Sequence, residues 1–161
     1  MISNHTIATG LLALVLMFGS TAVMAQQNPF VGTWKMNSAK SHFDPANLTL
    51  QGSTIHIEAT GNNAVKTTVD GKDAKGAPTH TEFTATMDNK DYPYSGSGDY
   101  DSIAIKVLSA NTHINVYKKG GTVVRVLRNI VSKDGKTYTL DQVGYNVQGV
   151  AYHNVVVYDR Q

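Results

Sequence analysis

The chain has 161 residues, with 14 Lys and Arg against 12 Asp and Glu and no cysteine. That length supports one domain, and charge this evenly balanced, with no long run of one sign, argues against nucleic acid as a partner. Without cysteine there is no disulfide, no lipid-modified N-terminal Cys and no thiol nucleophile.

The first predicted element is an export leader over residues 1–25. Ile7 to Phe18 is an unbroken run of apolar or small residues, about as long as a signal-peptide core and short for a membrane span. Val23-Met24-Ala25 offers small residues for a cut before Gln26, although Met1 to Thr6 carries no Lys or Arg. The expected domain is therefore 26–161, exported. It has no second apolar run, so no membrane insertion of the mature chain is expected. Export without disulfides points to a bacterial periplasm or extracellular space.

Phe30-Val31-Gly32-Thr33-Trp34-Lys35 follows, with the only tryptophan of the chain. Beyond it, residues alternate apolar and polar between turns rich in Gly, Asn and Asp, which is the period of strands and not of helices. Val31 and Thr33 open the first predicted strand, and Asn37 to Asn47 is irregular, with one short helical turn at most. Leu48 and Leu50 alternate, Gly52 breaks the parity, and Ile55 and Ile57 resume it on the other phase. Val65, Thr67 and Val69 form the next face, then Thr81, Phe83, Ala85 and Met87. Ile103, Ile105 and Val107 follow, then Ile114 and Val116. Lys119-Gly120-Gly121 signals a hairpin. Thr122 to Ser132 is the longest predicted strand, Tyr138 and Leu140 mark another, and His153 to Tyr158 closes the chain.

Short turns make neighbours antiparallel, and closure into a barrel removes exposed edges. The expected fold is all-β, a single up-and-down antiparallel β-barrel of about 8–10 strands, with a two-sheet sandwich as the alternative.

The opening Gly-x-Trp resembles that of the calycin barrels (lipocalins, fatty-acid-binding proteins and avidins). The resemblance implies that Gly32 lets the chain turn into the first strand and that Trp34 closes one barrel end. The chain also resembles short secreted bacterial proteins that share the GTWK opening and a valine-rich last strand ending in Tyr-Asp. Tyr117 to Arg125 is similar to the segment in which fatty-acid-binding proteins carry a ligand-gripping arginine. The C-terminal Arg-x-Tyr of that family is matched only at Tyr158, because Val156 stands in place of the arginine. The helical lid of that family has no counterpart, and one tryptophan is too few for an avidin site. In lipocalins a late arginine lies over the tryptophan of the opening motif.

The long strand puts Val124, Val126, Arg128 and Ile130 on one face and Val123, Arg125, Leu127 and Val131 on the other. In the calycin register Arg125 points inward near Tyr158 and Arg128 faces solvent, so Arg125 and Tyr158 are candidate ligand-binding residues. Tyr92 and Tyr94 join them from the loop Asp91 to Tyr100, whose tyrosines and glycines suit recognition of sugars, peptides or flat ligands, or a strand-end loop folded back on the barrel mouth. His80 and Glu82 share an outward strand face, and His56, His113 and His153 lie in different strands. A weak repeat, Gly71 to His80 and Gly144 to His153, fits two hairpins of the same turn chemistry. The His80-x-Glu82 spacing could bind a metal or make an acid–base pair, but its face looks outward; no nucleophile elbow or phosphate loop is present, so no catalytic residues, no metal and no cofactor are expected.

Two functions fit: a non-enzymatic binding protein holding a small apolar or amphipathic molecule, or a solid barrel binding a protein partner through its loops. An open interior of several hundred Å3 favours the first. An interior filled by Phe43, Phe83, Met87 and the valines favours the second.

Overall fold

The computed structural model describes residues 28–46, 50–145 and 149–161. The expected leader, Leu48 and the middle of the second repeat lie outside them. Eleven strands form one antiparallel sheet: β1 Gly32–Met36, β2 His42–Asp44, β3 Gly52–Gly61, β4 Ala64–Lys72, β5 Pro78–Thr86, β6 Tyr92–Ser95, β7 Ser102–Ser109, β8 Thr112–Lys119, β9 Thr122–Val131, β10 Thr137–Tyr145 and β11 Ala151–Arg160. Each of β3 to β11 pairs with the next, and β1 pairs with both β3 and β11, so ten strands close a barrel. Sandwich packing is thereby excluded. Among the described residues no helix is long and apolar enough to cross a membrane.

The irregular stretch after β1 holds a 3-10 turn, Ser38–Lys40, and then β2, a strand the alternation did not reveal. Met36 pairs with Tyr158 while His42 pairs with Val155, so β1 and β2 lie end to end along one edge of β11. They act as one strand interrupted by the turn. A second unforeseen strand, β6, lies inside the tyrosine-rich loop and pairs with β5 and β7 at two positions each.

Turn chemistry sets the strand order. Asn62 and Asn63 both take positive φ, at 48° and 58°, between β3 and β4. That pair of left-handed residues is the two-residue hairpin turn whose twist matches the flanking strands. At the β8–β9 hairpin the register slips between Tyr117 and Lys118, so Tyr117 faces Arg125 while Lys118 faces Val123. This bulge overturns the expected parity at one position. Val123 is exposed, and Val124 joins Arg125 on the inner wall.

One barrel end is closed, as the Gly-x-Trp motif implies. Trp34 is fully buried, its indole N–H donates to the Phe30 carbonyl at 2.8 Å, and its ring packs 5.3 Å from Tyr138. Arg160 lies beneath it, with the guanidinium carbon 4.0 Å from the indole centroid. Its three nitrogens donate to the carbonyls of Gly135, Val31 and Pro29 at 2.6, 2.8 and 2.6 Å. Gly32, at φ 137°, is required here for space as well as conformation, since a Cβ would stand 2.5 Å from an Arg160 nitrogen. Asn28 and Gln161 both lie at this base: Asn28 reaches Met87, and the Gln161 amide donates to Thr33.

The two sides of the barrel are built differently. On β3, β4 and β5 the inward residues are largely apolar: Ile55, Ile57, Val65, Phe83 and Ala85 are buried, with one hydroxyl, Thr67, among them. On β8 the alternation runs the other way, and on β9 to β11 buried polar side chains interleave with buried Leu127, Val131, Leu140 and Val156. His113, Asn115, Asn129, Gln142 and Asn154 are buried, while Ile114, Val116, Val126 and Val143 occupy outward positions.

Candidate functional site

The barrel encloses a cavity of about 570 Å3 that opens at the end opposite Trp34. Its floor is formed by Phe30, His113 and Tyr138, and its mouth by Lys72, Asp99, Tyr145 and neighbouring loop residues. Phe83 and Met87 line the space without filling it, and Phe43 is buried in the core beside it. The cavity is therefore hollow on the scale that small-molecule sites require.

Arg125 projects from β9 into the upper cavity. One terminal nitrogen donates to the Tyr100 hydroxyl at 2.9 Å and the other to the Gln142 side-chain oxygen. The guanidinium carbon lies 5.2 Å from the Tyr117 centroid and 5.7 Å from that of Tyr100, within cation–π range. Its Nε is buried with no hydrogen-bond partner. No carboxylate pairs with it among the described residues. Burial pulls its pKa down, but the surrounding phenols of Tyr100, Tyr117, Tyr152 and Tyr94 outweigh this and raise it, so the cation persists. A half-buried guanidinium with an enclosed, unpaired Nε and no carboxylate among the described residues is unusual, because uncompensated charge away from water is costly.

Aromatic rings form its surroundings. Tyr94, Tyr100 and Tyr117 meet edge to face, with centroids 4.8 to 5.4 Å apart. Burial, then the neighbouring phenols, raise the pKa of Tyr94; burial first raises that of Tyr117, to about 12. Both stay neutral hydroxyls at physiological pH. Tyr152 completes the group from β11, lying across Gly144, where an added Cβ would stand 2.8 Å from its hydroxyl. Gly144 therefore serves close approach rather than a turn.

Of the four residues singled out from sequence, Arg125, Tyr94 and Tyr158 line the cavity and Tyr92 does not. Tyr92 sits at the base end of β6 with its hydroxyl on Asp88 at 3.2 Å. Tyr158 and Arg125 are not joined: the Tyr158 hydroxyl bonds Ser53 Oγ at 2.7 Å, deeper in the barrel. Arg128 is exposed on the outer wall. Sequence reasoning missed Gln142, Tyr100, Tyr117 and Tyr152 as partners of Arg125, and it missed Arg160 as the late arginine over Trp34.

The histidines do not assemble. His80 pairs with Asp70 at 2.7 Å and Glu82 with Lys66 at 3.6 Å, so the His-x-Glu pair is divided between two cross-strand partners. His153 pairs with Asp141 at 2.8 Å and His56 with Glu58 at 2.9 Å, all exposed. His113 alone points inward, stacked on Phe30 at 4.0 Å. Burial lowers its pKa to about 4, so it is neutral above that pH. No group of three or more potential metal ligands occurs among the described residues. In the first repeat Asp73 accepts from the Lys75 and Ala77 amides at 2.8 and 2.9 Å, which is turn chemistry.

No protein-family profile matches the chain, and no curated protein is similar to it in sequence. Among solved structures, wild-type fluorescent protein UnaG is similar at 12% identity and TM-score 0.56, over 82% of this chain and 97% of that one. A point mutant of UnaG gives 14% identity and TM-score 0.56, over 83% and 96%. The tryptamine complex of the amine binding protein of Rhodnius prolixus is more distant, at 14% identity and TM-score 0.41, over 82% of this chain and 64% of that one. At such identities the likeness concerns the fold alone: the chain is a closed ten-stranded antiparallel barrel, similar in architecture to UnaG.

Proposed function

We propose that this protein is an exported, non-enzymatic carrier that holds a small amphipathic anion inside its barrel. The observation that carries this reading is Arg125, a cavity-facing guanidinium with a buried, unpartnered Nε and no carboxylate of its own. A ligand carboxylate would supply the missing counter-charge to the part of the guanidinium that faces the cavity, giving the charge-assisted bonds that are about twice as strong as neutral ones. The hollow, partly apolar interior supports the reading by offering the rest of such a molecule a place to be buried.

The test is titration with a fluorescent fatty acid, with Arg125→Met and Arg128→Met as variants. Wild type and Arg128→Met should bind saturably, and Arg125→Met should stay folded but lose most of the affinity. Identical behaviour of the two variants overturns the proposal, as does absence of saturable binding to wild type by this probe and by flat aromatic and acyl-chain carboxylates alike. Native mass spectrometry of protein purified from its own host then identifies the ligand carried.

A further inference from the structure

We infer that the cavity is shaped for a rigid, planar aromatic acid with hydrogen-bonding groups along one edge, and that it selects against a saturated acyl chain. This rests on the carrier reading and specifies its ligand.

The argument begins with the inverted wall. Inward side chains on β8 to β11 form rows across the sheet: Tyr117 and Arg125 stand side by side nearest the mouth, Asn115 and Leu127 below them, and His113 and Asn129 below those. The next strand continues the pattern, with Gln142 beside Leu127. From Tyr117 to His113 is four residues along one strand, so the polar strip runs about 13 Å down the barrel. Polar groups are not gathered at one head-group position, as a molecule with one polar end and an apolar tail would need. They recur down the depth of one side, interleaved with Leu127, Leu140 and Val156, and the facing wall of Ile55, Ile57, Val65 and Phe83 is mainly apolar, with hydroxyls only at Ser53, Thr67, Thr79 and Thr81.

Several of these groups have unused hydrogen-bonding capacity. Among the described residues the His113 ring makes no hydrogen bond and stacks on Phe30. Gln142 uses its oxygen on Arg125, and its amide nitrogen donates to nothing. Both residues line the cavity. Methylenes laid along this strip would displace water from polar groups and return no hydrogen bond, which costs free energy at each one. A flat ring system would meet the apolar wall with one face and present oxygen or nitrogen atoms to the strip with its edge. The tyrosines around Arg125 suit the same shape, because stacked and edge-to-face contacts require flat partners.

The experiment is calorimetric titration of the full-length mature protein with two carboxylates. One is palmitate; the other is rhein, a dihydroxyanthraquinone carboxylic acid. Two variants accompany wild type: Asn115→Leu, which is nearly isosteric, and His113→Phe, which keeps the stack on Phe30 and removes both ring nitrogens. Thermal melts establish that each is folded. Wild type should bind rhein at least tenfold more tightly than palmitate. Each variant should narrow that ratio at least threefold, by weakening rhein, strengthening palmitate, or both. If both acids bind with Arg125-dependent affinities within threefold of each other, or if neither variant moves the ratio, the planar-ligand inference fails and the carrier reading stands. If neither acid, nor the fluorescent fatty acid, binds saturably to wild type, both are overturned.

Discussion

Replacing Arg160 with Met should destabilise the barrel by about 3–5 kcal/mol, more than a surface arginine has any reason to do. The magnitude follows from its contacts. Three nitrogens of one guanidinium hold three backbone carbonyls, of Gly135, Val31 and Pro29, all within 2.8 Å. A hydrogen bond to a charged group contributes about 1.5–3 kcal/mol, and bonds sharing one fork do not add fully. The contact with the Trp34 face, at 4.0 Å, contributes about another 1 kcal/mol. Arg160→Lys should recover little, because an ammonium cannot reach three divergent carbonyls. Urea melts followed by tryptophan emission provide the assay, since Trp34 is the only indole and lies against the perturbed group. At about 3–5 °C per kcal/mol for a domain of this size, the melting temperature should fall by roughly 10–20 °C. Gly32→Ala should act on the same contact, because its Cβ would stand 2.5 Å from an Arg160 nitrogen. The double variant should therefore lose much less than the two single losses together. A loss below about 1 kcal/mol for Arg160→Met, or strict additivity with Gly32→Ala, would refute the argument.

Trp34→Ala should cost about 3–5 kcal/mol, the usual loss for a large buried aromatic, and equilibrium urea melts followed by circular dichroism test it. Because burial holds the His113 pKa near 4 against 6.5 in the unfolded chain, the unfolded state binds more protons in that window. Stability should therefore fall as pH drops from 6.5 towards 4, by about 1–2 kcal/mol once screening by water in the cavity is allowed for; His113→Phe should abolish that component, and melts at pH 7 and pH 4.5 that decline equally in both proteins would contradict it. Gly144→Ala should cost about 1–3 kcal/mol and displace the Tyr152 ring, because the new methyl would stand 2.8 Å from its hydroxyl and 2.9 Å from the Val124 carbonyl; near-wild-type melting would show that the wall yields more readily than argued.

The barrel itself was legible because most strands, β2 and β6 excepted, carry their own alternation and most turns a Gly, Asn or Asp signal. The base was legible in part: Gly32 and Trp34 identify themselves by spacing, but Arg160 does not. The chain has three late arginines, and only register decides which reaches Trp34; the pairing of Trp34 with Arg160 across β1 and β11 is a contact between distant positions. The polar wall was hidden for a different reason. Reading apolar residues as inward works on β3 to β5, but on β8 Ile114 and Val116 face outward and His113, Asn115 and Tyr117 face in. Val123 was misplaced because a bulge adds one residue at the hairpin and reverses parity beyond it. Tyr92 and Tyr94 alternate onto one face of β6, and nothing in the sequence says that Tyr94 lines the cavity while the Tyr92 hydroxyl turns to Asp88.

Both described ends of the chain emerge beside Trp34, at the pole away from the opening. Anything attached through Gln161, whether an affinity tag, a fusion partner or a sensor surface, is thereby held on the far side of the barrel from the cavity mouth. A molecule anchored this way would stand upright with its opening towards the bulk solution. On the carrier reading proposed above, protein immobilised through Gln161 should thus load and unload as freely as protein in solution.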